Sequence, residues 1–148
     1  MNEQVMKNWI TTLRMGGYRQ CQGTLRKLVN DKWGKINKYF CSVGVLLEMC
    51  DPTGWARSRT DCAWSKDGMA QEAYMTRVLG FPADMIQNVI RMNDQHHMSF
   101  GEIADYLEGY MKEKRWHLAQ NRRPSWKDAL VANYNQKEAF ESLIVEFA

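Results

Sequence analysis

Apolar residues recur at a helical period along most of this chain, and that pattern most narrows what it can fold into. Val5, Met6, Trp9, Ile10 and Leu13 share one face of residues 3 to 15, and Gly16-Gly17 then offers the left-handed backbone that closes a helix. Cys41 to Cys50 is a compact apolar run, stopped at Asp51-Pro52 because a residue before proline avoids the helical region. Residues 70 to 79 and 83 to 92 predict two further helices around Gly80-Phe81-Pro82. Ser99-Phe100-Gly101-Glu102 is a capping box that starts another, running to about Arg115. Ser125 after Pro124 repeats the start signal, and Phe140, Leu143, Ile144 and Phe147 carry a helical stripe to the end.

The period breaks in two places. Between Tyr18 and Tyr39, Gly23, Asn30-Asp31 and Gly34 interrupt two short runs that suit a small hairpin. Residues 51 to 68 are rich in Gly, Asp, Ser, Thr and Arg, and predict an ordered loop whose Trp55 and Trp64 dock on the core. The expected fold is therefore mainly α: one compact domain over residues 1–148, of five to seven helices with at most a small β-hairpin near residues 18–40. A chain of 148 residues is long enough to bury roughly 68–70% of its unfolded surface, so its four cysteines need not act as staples and are expected as free thiols. The longest apolar stretch, Val43 to Met49, falls far short of the roughly 20 residues of a membrane span, and residues 1 to 20 lack the apolar block of a secretory signal. The expectation is a cytoplasmic protein with no membrane partner.

Net charge is +3, but residues 1 to 66 hold eleven Lys/Arg against five Asp/Glu, whereas residues 67 to 148 hold nine against twelve. The first part is thus +6 and the second −3, which permits an anionic ligand near the first half.

Several local signatures occur in one order: Trp9, Leu13, Arg14, Gly16, Tyr18 and Gln20; Leu25-Arg26; Phe40, Cys41, Gly44, Val45 and Leu46; Asn93-Asp94; and Ser99, Phe100, Glu102, Ile103, Ala104 and Asp105. Together they resemble a family of small, uncharacterised proteins encoded by tailed bacteriophages and prophages. The resemblance covers residues 9 to about 108 and departs at Ser42, where the family commonly shows a second cysteine. It implies a phage origin, residence in the host-cell cytoplasm and an accessory role such as host takeover or counter-defence, and it implies no catalytic residue.

Four residue groups carry possible chemistry. Tyr18, Arg19, Gln20 and Arg26 follow the first helix in an irregular segment where backbone groups lack regular partners. They are expected to bind a small nucleotide-like anion near the helix that begins at Cys41, whose amides point outward. Cys41 sits where a helix dipole favours a thiolate, so a cysteine hydrolase pairing it with His96 or His97 is the enzymatic alternative. The nucleophiles of such hydrolases are followed by serine, as Cys41 is by Ser42, but their histidine lies on a strand, and here it precedes a capped helix. Buried core packing is the ordinary reading of such a cysteine. Arg115, Trp116, Arg122, Arg123, Trp126 and Lys127, within the basic stretch 112–127, are the candidates for nucleic-acid contact through phosphate neutralisation and base stacking. The same composition also suits a helix end and its linker. Cys50, Cys62, His96 and His97 supply zinc-ligand atoms without the close spacing of a structural site; no metal and no cofactor is expected. The expected partner is a host protein or a small anion such as a nucleotide, and the sequence leaves the oligomeric state open.

Overall fold

The computed structural model describes residues 1–56 and 63–122, and the chain divides into two compact units, Met1–Glu108 and Gly109–Ala148. Helix α1, Glu3–Met15, is capped by the Asn2 side chain, which accepts the Val5 amide, and it closes on Gly16 in the left-handed conformation, as its sequence predicts. Its buried stripe is Met6, Trp9, Ile10 and Leu13, four of the five residues expected to share a face.

Residues 19 to 40 then form a three-stranded sheet in the order β1-β3-β2. Strand β2, Arg26–Asn30, pairs antiparallel with β3, Ile36–Phe40, in the register Arg26 to Phe40 and Lys27 to Tyr39. Strand β1, Arg19–Gln20, joins the other edge of β3 in parallel. Helix α2, Ser42–Cys50, follows at once, with Cys41 as its N-cap and residues 42 to 47 all buried. A short 3-10 turn, Pro52–Gly54, leads to β4, Ser65–Lys66, and β5, Met69–Ala70, a hairpin closed by Asp67 and Gly68, both at positive φ. Two residues with positive φ make the type I′ turn, whose twist matches that of the strands it joins. Trp55 and Trp64 bridge to each other and are buried, as expected of docked rings.

Helix α3, Gln71–Ala73, widens into a π turn over Tyr74–Val78. Helix α4, Ala83–Asp94, buries Met85, Ile86, Val89 and Asn93. Helix α5, Phe100–Arg122, starts at the expected capping box: Ser99 Oγ accepts the Glu102 amide, and Glu102 Oε1 accepts the Ser99 amide. Within the first unit, Ile103, Ala104 and Leu107 of α5 are fully buried, while Arg14 of α1 bonds Asp105 at 2.8 Å and also Glu108. Both ion pairs are solvent-exposed and so contribute little.

The fold is thus α+β, which corrects the expectation of a mainly α domain with at most one hairpin. Helices α1 to α5 stand beside two small sheets. The difference has a physical origin: β1, β4 and β5 are two residues long, too short to show alternation, and each is held by a partner strand rather than by its own propensity. Among the described residues, no helix is long and apolar enough to cross a membrane.

Candidate functional site

The sheet, the start of α2 and the end of α4 meet at one buried amide. Asn93, fully buried at the end of α4, accepts hydrogen bonds at Oδ1 from the Gln20 side chain (2.9 Å) and the Ser42 amide (3.2 Å). Its Nδ2 donates to the Cys21 carbonyl (2.9 Å) and to Asp94 Oδ1 (2.8 Å), which also accepts the Gly23 amide. Gln20 Nε2 further donates to the Met98 carbonyl, and Trp9 Nε1 to the Ser42 carbonyl. One side chain therefore joins β1, the residues after it and the start of α2, and every polar atom of the Asn93 amide group is engaged. Buried amides are stable only when satisfied in this way. Ser42 Oγ, by contrast, is buried with no hydrogen-bond partner among the described residues.

On the outer side of the sheet this network supports a recess of about 380 Å³ lined by Gln20, Cys21, Gln22, Lys27, Val29 and Tyr39. Strand alternation explains the lining. Arg26 and Phe40 face the core, so their neighbours Lys27 and Tyr39, which pair with each other, face outward. Arg19 pairs with Tyr39 on the same face; its guanidinium lies 5.8 Å from the Tyr39 ring centre and donates to Asn37 Oδ1 at 3.0 Å. No lining residue carries a carboxylate. The Asp94 carboxylate behind Cys21 is occupied by the Gly23 amide and Asn93; together with burial, the larger cause, it raises the Cys21 thiol pKa. Another recess, of about 340 Å³, lies over Glu72, Arg77, Ala83 and Gln87, where opposite charges offset one another.

The four residues expected to form an anion pocket are divided between three environments. Arg19 lies on the outer sheet face and Gln20 on the Asn93 network, lining the recess. Arg26 is only 7% exposed, and its guanidinium lies 4.5 Å from the Trp55 ring centre, while Tyr18 packs edge-on against Phe40. Burial, and next the Glu48 charge, raises the Tyr18 pKa. Lys27, Tyr39 and Cys21 take the places beside Arg19 and Gln20. Period-two alternation through residues 26 to 30 and 36 to 40 was the available signal for Lys27 and Tyr39.

Cys41 does cap a helix, and its Sγ accepts the Gly44 amide at 3.3 Å. It is nonetheless 6% exposed, and burial outweighs that bond, pushing the thiol up to about 12. His96 and His97 are exposed in the turn after α4, where His97 has positive φ, and neither bonds to Cys41. Hydrolytic attack needs an accessible thiolate with a base in reach, and a buried thiol bonded to the Gly44 amide is not one. Cys21, Cys41 and Cys50 are free thiols, and Cys62 lies outside the described residues. Among the described residues, no three His, Cys, Asp or Glu side chains gather as a metal site. Of the basic stretch, Arg123, Trp126 and Lys127 lie outside the described residues, and Arg115, Trp116 and Arg122 fall on the helical backbone at the end of α5. No family model, no curated protein and no solved structure matches this chain.

Proposed function

We propose that the protein is a non-enzymatic accessory binding protein of bacteriophage type that captures a small nucleotide-like anion on the outer face of its sheet. The observation that carries this reading is the recess beside Lys27 and Tyr39, rimmed by Arg19 and lined by no acidic side chain. A phosphate there meets two cations, one of them held by Asn37 and Tyr39 before any ligand arrives. Charge-assisted contacts of this kind are the stronger ones, about 1.5–3 kcal/mol each. Tyr39 adds a flat surface for a base, and Gln20 and Gln22 add side-chain amides around it. The phage character rests on the ordered signatures from Trp9 to Asp105.

Calorimetric titration of the full chain with ATP tests the reading. Lys27→Gln and Arg19→Gln are each expected to weaken ATP roughly 10-fold or more, with an unchanged melting temperature because both side chains are exposed. Arg26→Ala is expected to lower stability instead, through lost packing on Trp55. Wild-type protein that takes up no ATP and no pyrophosphate at low salt, or wild-type affinity in both Lys27→Gln and Arg19→Gln, refutes the reading.

A further inference from the structure

The β2–β3 hairpin ends in a turn that holds a tryptophan ring out in water. Asp31 Oδ1 accepts the amides of Trp33 (2.8 Å) and Lys35 (2.9 Å), the Asp31 amide donates to the Lys35 carbonyl, and the Gly34 amide donates to the Asp31 carbonyl. Gly34 takes φ +77°, a value that glycine alone adopts without strain, so Lys32, Trp33 and Gly34 form the tight three-residue loop that ends in a left-handed residue. Trp33 at its apex is 81% exposed, with the Lys32 ammonium 5.1 Å from its ring centre. A ring so placed adds nothing to the core, yet the turn beneath it is closed by four hydrogen bonds, two between backbone groups and two from backbone amides to the Asp31 carboxylate.

Charge around this ring has one sign. Residues 18 to 40 hold six Lys/Arg, namely Arg19, Arg26, Lys27, Lys32, Lys35 and Lys38, against Asp31 alone, and that carboxylate is occupied by the turn amides. Arg26 faces inward, and the other five cations are exposed. Arg19 and Lys27 lie on the recess face and Lys32 and Lys35 in the turn, a track that spans a five-residue strand, roughly 17 Å, while Lys38, paired with Leu28, lies on the other face.

We propose that this hairpin is a docking surface for single-stranded nucleic acid: a base stacks on Trp33, and the phosphates follow Lys32, Lys35 and Lys27 toward Arg19 and the recess. The proposal rests on the anion reading of the sheet face and names its ligand class. An aromatic ring combined with a cationic track is what sequence-tolerant single-strand binding requires, because every base has a π face and every nucleotide a charge. An anionic lipid surface would take Trp33 and the half-exposed Ile36 but would leave the amide-lined recess and the Arg19–Tyr39 pair without a role.

Fluorescence anisotropy of a labelled twelve-nucleotide oligo-dT with the full-length protein at about 50 mM salt tests it, beside ATP titration and sedimentation with phosphatidylglycerol vesicles. Wild type is expected to bind the oligonucleotide with an affinity that falls with salt at a log–log slope of about −0.7 per phosphate engaged. Trp33→Ala is expected to weaken binding about 5- to 150-fold, the worth of one stacked base, whereas Trp33→Phe retains most of it. Lys32→Gln and Lys35→Gln are each expected to flatten the salt slope by about 0.7. Because these positions are exposed, circular dichroism should show every variant folded. Oligonucleotide binding that Trp33→Ala leaves untouched overturns the proposal. So does ATP binding without oligonucleotide binding, which leaves the recess reading standing. Capture by vesicles alone overturns it in favour of a lipid surface, and failure to bind ATP, oligonucleotide and vesicles removes both readings.

Discussion

Replacing Asn93 by aspartate changes one nitrogen to oxygen and leaves the shape of the side chain intact. The two bonds accepted from Gln20 and Ser42 survive. The two donated bonds do not: the Cys21 carbonyl loses its partner, and a carboxylate oxygen now stands 2.8 Å from Asp94 Oδ1. An orphaned buried acceptor costs about 1–3 kcal/mol, and the carboxylate contact adds a comparable amount, so the loss is roughly 3–5 kcal/mol of the 5–15 that hold a domain together. At about 2–4 °C per kcal/mol for a chain of this size, Asn93→Asp should melt roughly 6–20 °C below wild type at pH 7.5. The pH dependence sharpens the test. Burial and the Asp94 charge raise the folded-state pKa of the new carboxyl above its unfolded value of about 4, so the folded variant binds the extra proton. The stability it retains is therefore fully present below about pH 4 and declines as pH rises through the folded value. Urea unfolding followed by circular dichroism at pH 5 and pH 7.5 reads this directly. Equal stability of variant and wild type at pH 7.5, or a deficit that grows on acidification, would refute the view that Asn93 donates as described.

Gly44→Ala sets helix propensity against sterics: alanine favours a helix by about 1 kcal/mol, but its Cβ would stand 1.9 Å from the Leu25 carbonyl oxygen, which already accepts the Cys41 amide. Backbone must move and strain that bond, so the variant should lose about 1–4 kcal/mol net, and a melting temperature equal to or above that of wild type contradicts the packing described. Cys41 should react slowly with iodoacetamide in the folded protein and fast in urea, since its thiol is held near 12 by burial; rapid native labelling would reopen the enzymatic alternative.

The helices were legible because their signals are local. The span from residue 3 to Gly16, the α2 run ending at Asp51-Pro52 and the Ser99 to Glu102 box each carry their own stop or start residues, and each matches an element of the structure. The sheets were only half legible. Residues 25 to 29 and 35 to 40 read as a hairpin, but β1 exists only because the Cys21 amide and its neighbours find β3, and Asp67-Gly68, a type I′ pair, sat in a stretch read as loop. The site was least legible. Tyr18, Arg19, Gln20 and Arg26 are near in sequence, yet β1 and β2 present them to different surroundings, a consequence of register that spacing does not reveal. Asn93 stood out only through the Asn93-Asp94 signature, and its bonds to residues 20, 21 and 42 depend on contacts across more than fifty positions.

That long reach bears on when the protein becomes competent during synthesis. A nascent chain contains the whole sheet once Phe40 has emerged, but the Ser42 amide and the Cys21 carbonyl have no Asn93 until some fifty further residues are made. At about 5–20 residues per second, the ribosome holds the recess unfinished for a few seconds, its loop-closure entropy not yet offset. The hairpin tip, closed by Asp31 within five residues, has no such wait. Trp33 is thus presented early, on a chain whose recess is braced only when α4 arrives.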